Sequence, residues 1–189
     1  MGFPKCRAKE FFEELCLRVG ENPMREGLRE TPRRIAGAWD ALYQGYSQDP
    51  VKILSSAKFE AETEHMIILR DIEFFSTCEH HLLPFYGKAH VAYIPGKEMV
   101  GVSKIARALD AIARRMQVQE RLTGQLVDAL QTALEPKGVM VVVDAVHLCT
   151  RARGVEKQNS VMTTSAISGV FRDSGEARAE CLGLIRDER

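Results

Sequence analysis

The chain has 189 residues, 45% of them hydrophobic and 28% charged, enough to bury about 70% of its unfolded surface in a single core. Its 26 Lys and Arg against 26 Asp and Glu leave no net charge, which excludes the broad basic footprint of a general nucleic-acid binder. The longest aliphatic run, residues 139–143, is far short of the roughly 20 residues that cross a bilayer, and the charged beginning is unlike an export segment, so no membrane partner and a cytoplasmic location are expected.

In chain order, the first third reads as helical. Phe11, Phe12, Leu15 and Val19 form one apolar face, residues 22–30 read as a loop, and Thr31-Pro32 supplies a cap and a first-turn proline. The helix that follows carries Ile35, Ala38, Trp39 and Leu42 at helical spacing. From Met66 the pattern turns extended. Ile67, Leu69, Ile72, Phe74 and Phe75 mark a strand ending at Ser76-Thr77, and residues 87–94 form a second that can pair antiparallel with it. Ser103 is the expected cap of a helix with Ile105, Leu109, Ile112 and Met116 on one stripe. Val118, Leu122, Leu126 and Leu130 belong to the next helix, which ends at the Pro136-Lys137-Gly138 turn.

Residues 139–150 are the most strand-like segment, with a period of two that sets Val141, Val143, Ala145, His147 and Cys149 on one face. Residues 163–171 give a fourth strand, in which Thr163 and Thr164 read as ordinary strand filling. Asp173 with Glu176 opens a terminal helix through Leu182 and Ile185. Helices, two strands, two helices, two strands and a helix make an α+β order with antiparallel pairing.

Five cysteines at wide spacing, an odd number, argue against a disulfide framework. Cys6, Cys16 and Cys181 fall among helical apolar positions and read as small buried hydrophobes. Cys78 and His81 stand at a Cys-x-x-His spacing at a strand end, and His147 and Cys149 project from one side of another strand. Cys78, His81 and Cys149 would give Zn2+ two thiolates and an imidazole, with one position left for water. His80, pointing away from its neighbour in extended backbone, stays free for acid or base work. On residue types alone, a surface-turn pair of histidines competes with this reading.

A basic group accompanies it. Ser103-Lys104 opens a helix, Arg107 follows on the same face, and Arg151 and Arg153 come after the Cys149 strand. A helix start with Lys and Arg suits phosphate, although a solvated charged face explains the same residues.

Longer motifs carry a resemblance. Residues 78–84 (CEHHLLP), 87–95 (GKAHVAYIP), Ser103-Lys104, 117–123 (QVQERLT) and 147–154 (HLCTRARG) are similar to those of the zinc-dependent GTP cyclohydrolase I family, in the same order and over nearly the whole chain. The resemblance implies the tunnelling fold: an antiparallel sheet with helices on one face, preceded by a helical segment. It implies a single domain over 1–189, with 1–60 the helical part and 61–189 the catalytic part.

The implied reaction is hydrolytic opening of the imidazole ring of GTP with formate release, then an Amadori rearrangement and closure to 7,8-dihydroneopterin triphosphate, the entry to tetrahydrofolate and pterin synthesis. Cys78, His81 and Cys149 match the zinc ligands. His147 matches the proton donor to N7 and His80 a second acid/base histidine. Glu120 matches the reader of the guanine edge, and Gln119 and Ser103 match further catalytic-site positions. Lys104, Arg107 and Arg153 correspond to triphosphate contacts, with Arg34 supplied from a neighbouring subunit. Partners implied are GTP and further copies of the chain, as a homodecamer of two stacked pentamers. Two other readings carry their own signatures: a nitrile reductase of the same fold would lack the zinc set, and a binding-only protein would have no use for Glu120, His80 and His147 together.

Overall fold

The computed structural model describes residues 5–186, with side chains from Arg7 onward; the reading of Cys6 lies outside them. Helices α1 (Lys5–Val19) and α2 (Thr31–Leu42) form a hairpin closed by Phe11 and Trp39, whose rings meet edge-on at 5.5 Å. Pro32 sits in the first turn of α2, where its missing N–H costs nothing. The expected loop between them contains a short 3-10 turn, Glu26–Leu28.

A helix that periodicity does not reveal follows, α3 (Pro50–Ser55). Six residues are too few for an apolar period, but Asp49 caps it by accepting from the N–H groups of Val51 and Lys52, and Pro50 fixes its first residue. Leu54 of α3 is fully buried in the main core, and β1 (Lys58–Glu60) pairs with β4 (Glu98–Val100). Residue 60 is therefore not a physical boundary between two bodies.

The centre is a five-stranded sheet built from β2 (Ile67–Cys78), β3 (Pro84–Ile94), β5 (Met116–Gln117), β6 (Gly138–His147) and β7 (Met162–Gly169), in the order β5-β2-β3-β6-β7. The four long strands pair antiparallel, and only the two-residue β5 runs parallel to β2. Between β3 and β6 lie α4 (Val102–Ala113) and α5 (Gln119–Leu134). Strand, strand, helix, helix, strand, strand is the unit of the tunnelling fold expected above.

The sheet buries Phe74, Phe85, Val91, Tyr93, Val141 and Val143 against Ile105, Leu109 and Ile112 of α4 and Leu122, Leu126 and Leu130 of α5. Alternation decides which residues do so: along β2, Phe74 and Ser76 are buried while Glu73 and Phe75 are exposed. The other face is covered at one end only. There Ala92, Met140 and Val142 pack on Phe171 of α7 (Val170–Asp173) and Cys181 of α8 (Gly175–Arg186). Burial drives the Cys181 thiol up to about 11.

Four element ends differ from expectation for local reasons. The cap of α4 is Gly101, without a side-chain bond, and Ser103 lies inside the first turn. Met116 leaves that helix for β5, and the helix ends at Ala113 with Arg114 as its C-cap. For α8 the cap is Ser174, whose hydroxyl accepts from the Ala177 N–H, so the box of Asp173 and Glu176 does not form its start. Strand β7 stops at Gly169 and Phe171 belongs to α7. Two sheet edges stay open among the described residues: β7 on one side and, apart from Thr77 and Cys78, β2 on the other.

At Gly87, in the middle of β3, an added Cβ would run into Asp144 O and lie 2.7 Å from Ala145 Cα, both backbone atoms of β6. Gly124, inside α5, has nothing within 4 Å of the same added atom. Gly87→Ala is expected to cost about 3 kcal/mol in urea unfolding. Gly124→Ala is expected to gain roughly 0.5–1 kcal/mol from helix propensity. Equal effects from the two would contradict the strand spacing described here.

Candidate active site

At the end of β2 the chain turns tightly. Leu82 N–H donates to Cys78 O and Cys78 N–H to Leu83 O, both at 2.9 Å, so residues 79–82 loop out and return into β3. Leu82 takes φ +54° to close the turn. His81 comes back over Cys78, with Nδ1 3.8 Å from Sγ. The separation of His80 from His81 therefore arises from a turn and not from strand alternation. His80 is exposed at the tip, and its ring meets that of His81 edge-on at 6.3 Å.

The partner cysteine arrives differently from the sequence reading. β6 ends at His147, and Leu148–Arg151 is a helical turn, α6, closed by Ala152 N–H to Leu148 O at 2.9 Å. Cys149 is thus not on the strand face with His147. The Val-rich run that favours a strand stops before Leu148, and the residues after it have no β-branched pattern to sustain one.

The helical turn nevertheless aims Cys149 at the other two residues. The ligand atoms of Cys78, His81 and Cys149 all lie within 4.8 Å of one another, the one such group of three among the described residues. Burial first, and then the charge of Cys78, push the Cys149 thiol above its ordinary value. Two thiols and an imidazole this close form a donor set for a borderline-soft divalent ion. Arg153 stands at its rim, with Nη1 3.5 Å from His81 Nε2 and 3.4 Å from Cys149 O.

His147 is placed by strand pairing. Phe85 lies opposite Ser76 on β2 and opposite His147 on β6, and its ring stacks on the imidazole at 4.6 Å with 2° between planes. His147 Nε2 is 2.8 Å from Gln119 Oε1. Burial holds its pKa below the usual histidine value, and the nearby negative charge of Glu120 opposes that shift. Glu120 is exposed at the start of α5, beside the fully buried Gln119. Gln119 does not line the site: it lies beneath it, with its amide bonded inside the protein.

A contact that no sequence signal announces ties these parts together. Arg121 Nη2 is 2.9 Å from Glu79 Oε1, and a second bond joins the same two side chains, linking the Cys78 turn to the first turn of α5.

The remaining basic residues stay apart within one chain. Ser76 Oγ donates to Ala113 O at 2.7 Å, so the C-terminal end of α4 faces the Cys78 end of the sheet. From Ala113 back to Ser103 the helix rises about 15 Å. At that far end Val100 N–H donates to the hydroxyl of Tyr93, which pairs with Ile67, the first residue of β2. Ser103 and Lys104 are therefore at the opposite end of the sheet from Cys78. Arg107 borders a separate cleft of about 610 Å³ with Gln48, Asp49, Lys52 and Asp110. Arg34 is exposed on α2.

The GTP cyclohydrolase I family model matches residues 8–186. GTP cyclohydrolase 1 of Methylococcus capsulatus is 55% identical over 174 residues, covering 92% of this chain and 94% of its own. That of Leptospira biflexa is 52% identical over 178 residues, covering 94% and 97%. Among solved structures, an archaeosine synthase QueF-Like in the apo form aligns with a TM-score of 0.48 and 18% identity, over 57% of this chain and 97% of that one.

Loaded with Co2+ as a coloured probe, the protein is expected to bind one ion per chain with a thiolate charge-transfer band. Cys149→Ala should abolish the band and His80→Ala should leave it. Loss of the band in His80→Ala would show that the ligand group has been drawn wrongly.

Proposed function

The chain belongs to the GTP cyclohydrolase I family, and from that premise we propose how its own residues divide the reaction. The protein is a hydrolase that opens the imidazole ring of GTP, releases C8 as formate, and by rearrangement and ring closure forms 7,8-dihydroneopterin triphosphate. The observation that carries the assignment of roles is the Cys78–His81–Cys149 group, flanked by a histidine whose ring is fixed and by the carboxylate of Glu120.

Zn2+ is the proposed occupant. The 3.8 Å between Cys78 Sγ and His81 Nδ1 is close to the about 3.6 Å expected between sulfur and nitrogen ligands on one tetrahedral zinc. Bound there, Zn2+ is a Lewis acid that makes water nucleophilic at neutral pH.

The chain's own residues bind, orient and move protons. Glu120 accepts from the ring N–H and the amino group of guanine, a bidentate pattern that adenine cannot offer. This fixes the purine with its imidazole ring toward the metal group. His147 has its Nε2–H committed to Gln119, so Nδ1 is the atom that takes a proton and returns it to N7 as the ring opens. His80, at the exposed turn tip, serves the ribose ring oxygen and the later transfers. Arg153 at the rim holds the triphosphate.

Ser103, Lys104, Arg107 and Arg34 act from a neighbouring copy, Ser103 at the ribose and the basic three at the phosphates. The support is that α4 sets Ser103 and Lys104 at the wrong end of the sheet to serve the site of their own chain. The open edges of β2 and β7 are complementary halves of a head-to-tail sheet pairing, which closes into rings when the rotation permits. A homodecamer of two stacked pentamers satisfies both. Residues 1–189 then act as one catalytic unit, with 61–189 providing the tunnelling fold and 1–60 contributing Arg34. No helix of the described residues is long and apolar enough to cross a membrane. A cytoplasmic enzyme meeting free GTP, with no nucleic-acid or membrane partner, completes the proposal.

Zinc-loaded protein is expected to release formate in equal amount to the GTP consumed and to yield a product with pterin fluorescence. His147→Ala should keep zinc and lose ring opening by about 10³-fold, whereas Cys149→Ala loses both. GTP bound stoichiometrically without formate, or zinc lost from both variants, would overturn these roles.

A further inference from the structure

Beneath His147 lies a closed set of polar side chains that the reaction does not touch. Gln119 is fully buried and Thr123 is 1% exposed, so each of their polar atoms needs a partner inside the protein. Gln119 Nε2 lies 2.9 Å from Val143 O, 2.9 Å from Met162 O and 3.2 Å from Thr164 Oγ1. Backbone carbonyls only accept, so this end of the amide is the NH2 group and the other end is the oxygen. That oxygen faces His147 Nε2 at 2.8 Å, and since it too only accepts, Nε2 carries the hydrogen.

The two threonines complete the logic. Thr123 Oγ1 is 2.7 Å from Gln119 O, its own carbonyl one turn back, and 2.7 Å from Thr164 Oγ1. Its single proton goes to the carbonyl, so Thr164 donates to Thr123; the two hydrogens of Gln119 Nε2 go to the two carbonyls at 2.9 Å, and the Thr164 oxygen at 3.2 Å shares one of them as the longer arm of a bifurcated bond. Every donor in the set has one direction. The Gln119 amide reaches between β6 and β7, joining a carbonyl from each strand, and cannot flip without setting its oxygen against two carbonyl oxygens. The stacked ring of Phe85 holds the imidazole plane.

We propose that Thr164 and Thr123 are positioning residues that, through the Gln119 amide, hold His147 in the Nε2–H tautomer with Nδ1 as its proton-exchanging atom. The proposal rests on the reading of His147 as the proton-transfer residue, and it gives Gln119 a role that involves no contact with GTP. Proton transfer tolerates little error in angle, so loosening the amide acts on turnover and not on substrate affinity.

The test uses full-length, zinc-loaded protein. Thr164→Val and Thr123→Val remove one hydroxyl each at nearly constant volume, and Thr164→Ser restores it. Both Val variants are expected to lose about tenfold or more in kcat with KM for GTP within about twofold and zinc content unchanged, and Thr164→Ser to recover kcat to within about twofold of the parent. Solid-state 15N spectra of histidine-labelled protein, with His147 signals identified by difference from His147→Ala, report the ring directly. The parent should show a single protonated Nε2, and the Val variants a second tautomer or a displaced Nε2 signal.

Parent-like spectra and kcat in both Val variants would overturn the proposal, as would a Ser variant as impaired as Val, or mixed tautomers in the active parent. A single Nε2–H tautomer that loosens in the Val variants of a protein unable to release formate would leave the relay standing and remove the functional reading instead.

Discussion

The register of β3 between its two neighbours is the constraint on which the site depends. Phe85 pairs with Ser76 on one side and with His147 on the other, so the ends of β2 and β6 are level across a single residue. From that level point the Cys78 turn and the α6 turn each extend a few residues and meet. A slip of one residue in either ladder would reverse the faces, turning Phe85 away from the core and His147 away from Gln119. The alternation of buried and exposed residues over the later part of β2 and the start of β3, and the close approach at Gly87, hold the register against that slip. The chemistry of the site is thus set by sheet pairing before any ligand atom is considered.

Much of this was legible in the residues and some was not, for identifiable physical reasons. Strand β2 and helices α4 and α5 announce themselves because each buries one face, and β3 and β6 because they carry apolar runs buried on both faces for much of their length. The ligand types of Cys78, His81 and Cys149 suffice to nominate a metal group, but the geometry behind them differs from what periodicity suggests. His81 reaches Cys78 by a turn, and Cys149 arrives on a helical turn after the strand has ended. Periodicity describes elements and is silent at their ends, where these residues stand. α3 is too short to have a period, and its signal is the Asp49-Pro50 pair. Thr164 looks like strand filling because its partners lie on α5, 41 residues away for Thr123.

A division of labour between rigid and exposed parts also emerges. Gln119 and Thr123 belong to the core, and their bonds are oriented by backbone carbonyls that have no freedom to answer a ligand. Glu120, the next residue after Gln119, is exposed, as is His80. One turn of α5 therefore carries an inward residue bonded to His147 and an outward carboxylate open to solvent, the one proposed above to read the base. The Glu79–Arg121 pair braces this turn against the Cys78 turn, so the Cys78–His81–Cys149 group and the Glu120 carboxylate share one support.

The two open sheet edges have a consequence for any single copy of the chain. Alone, it exposes unpaired backbone along both β2 and β7. Either border accepts a neighbour in register or a stray extended segment with similar readiness. Which one arrives first is a matter of local concentration, so crowded copies of this chain favour the head-to-tail pairing proposed above and dilute ones leave both borders bare.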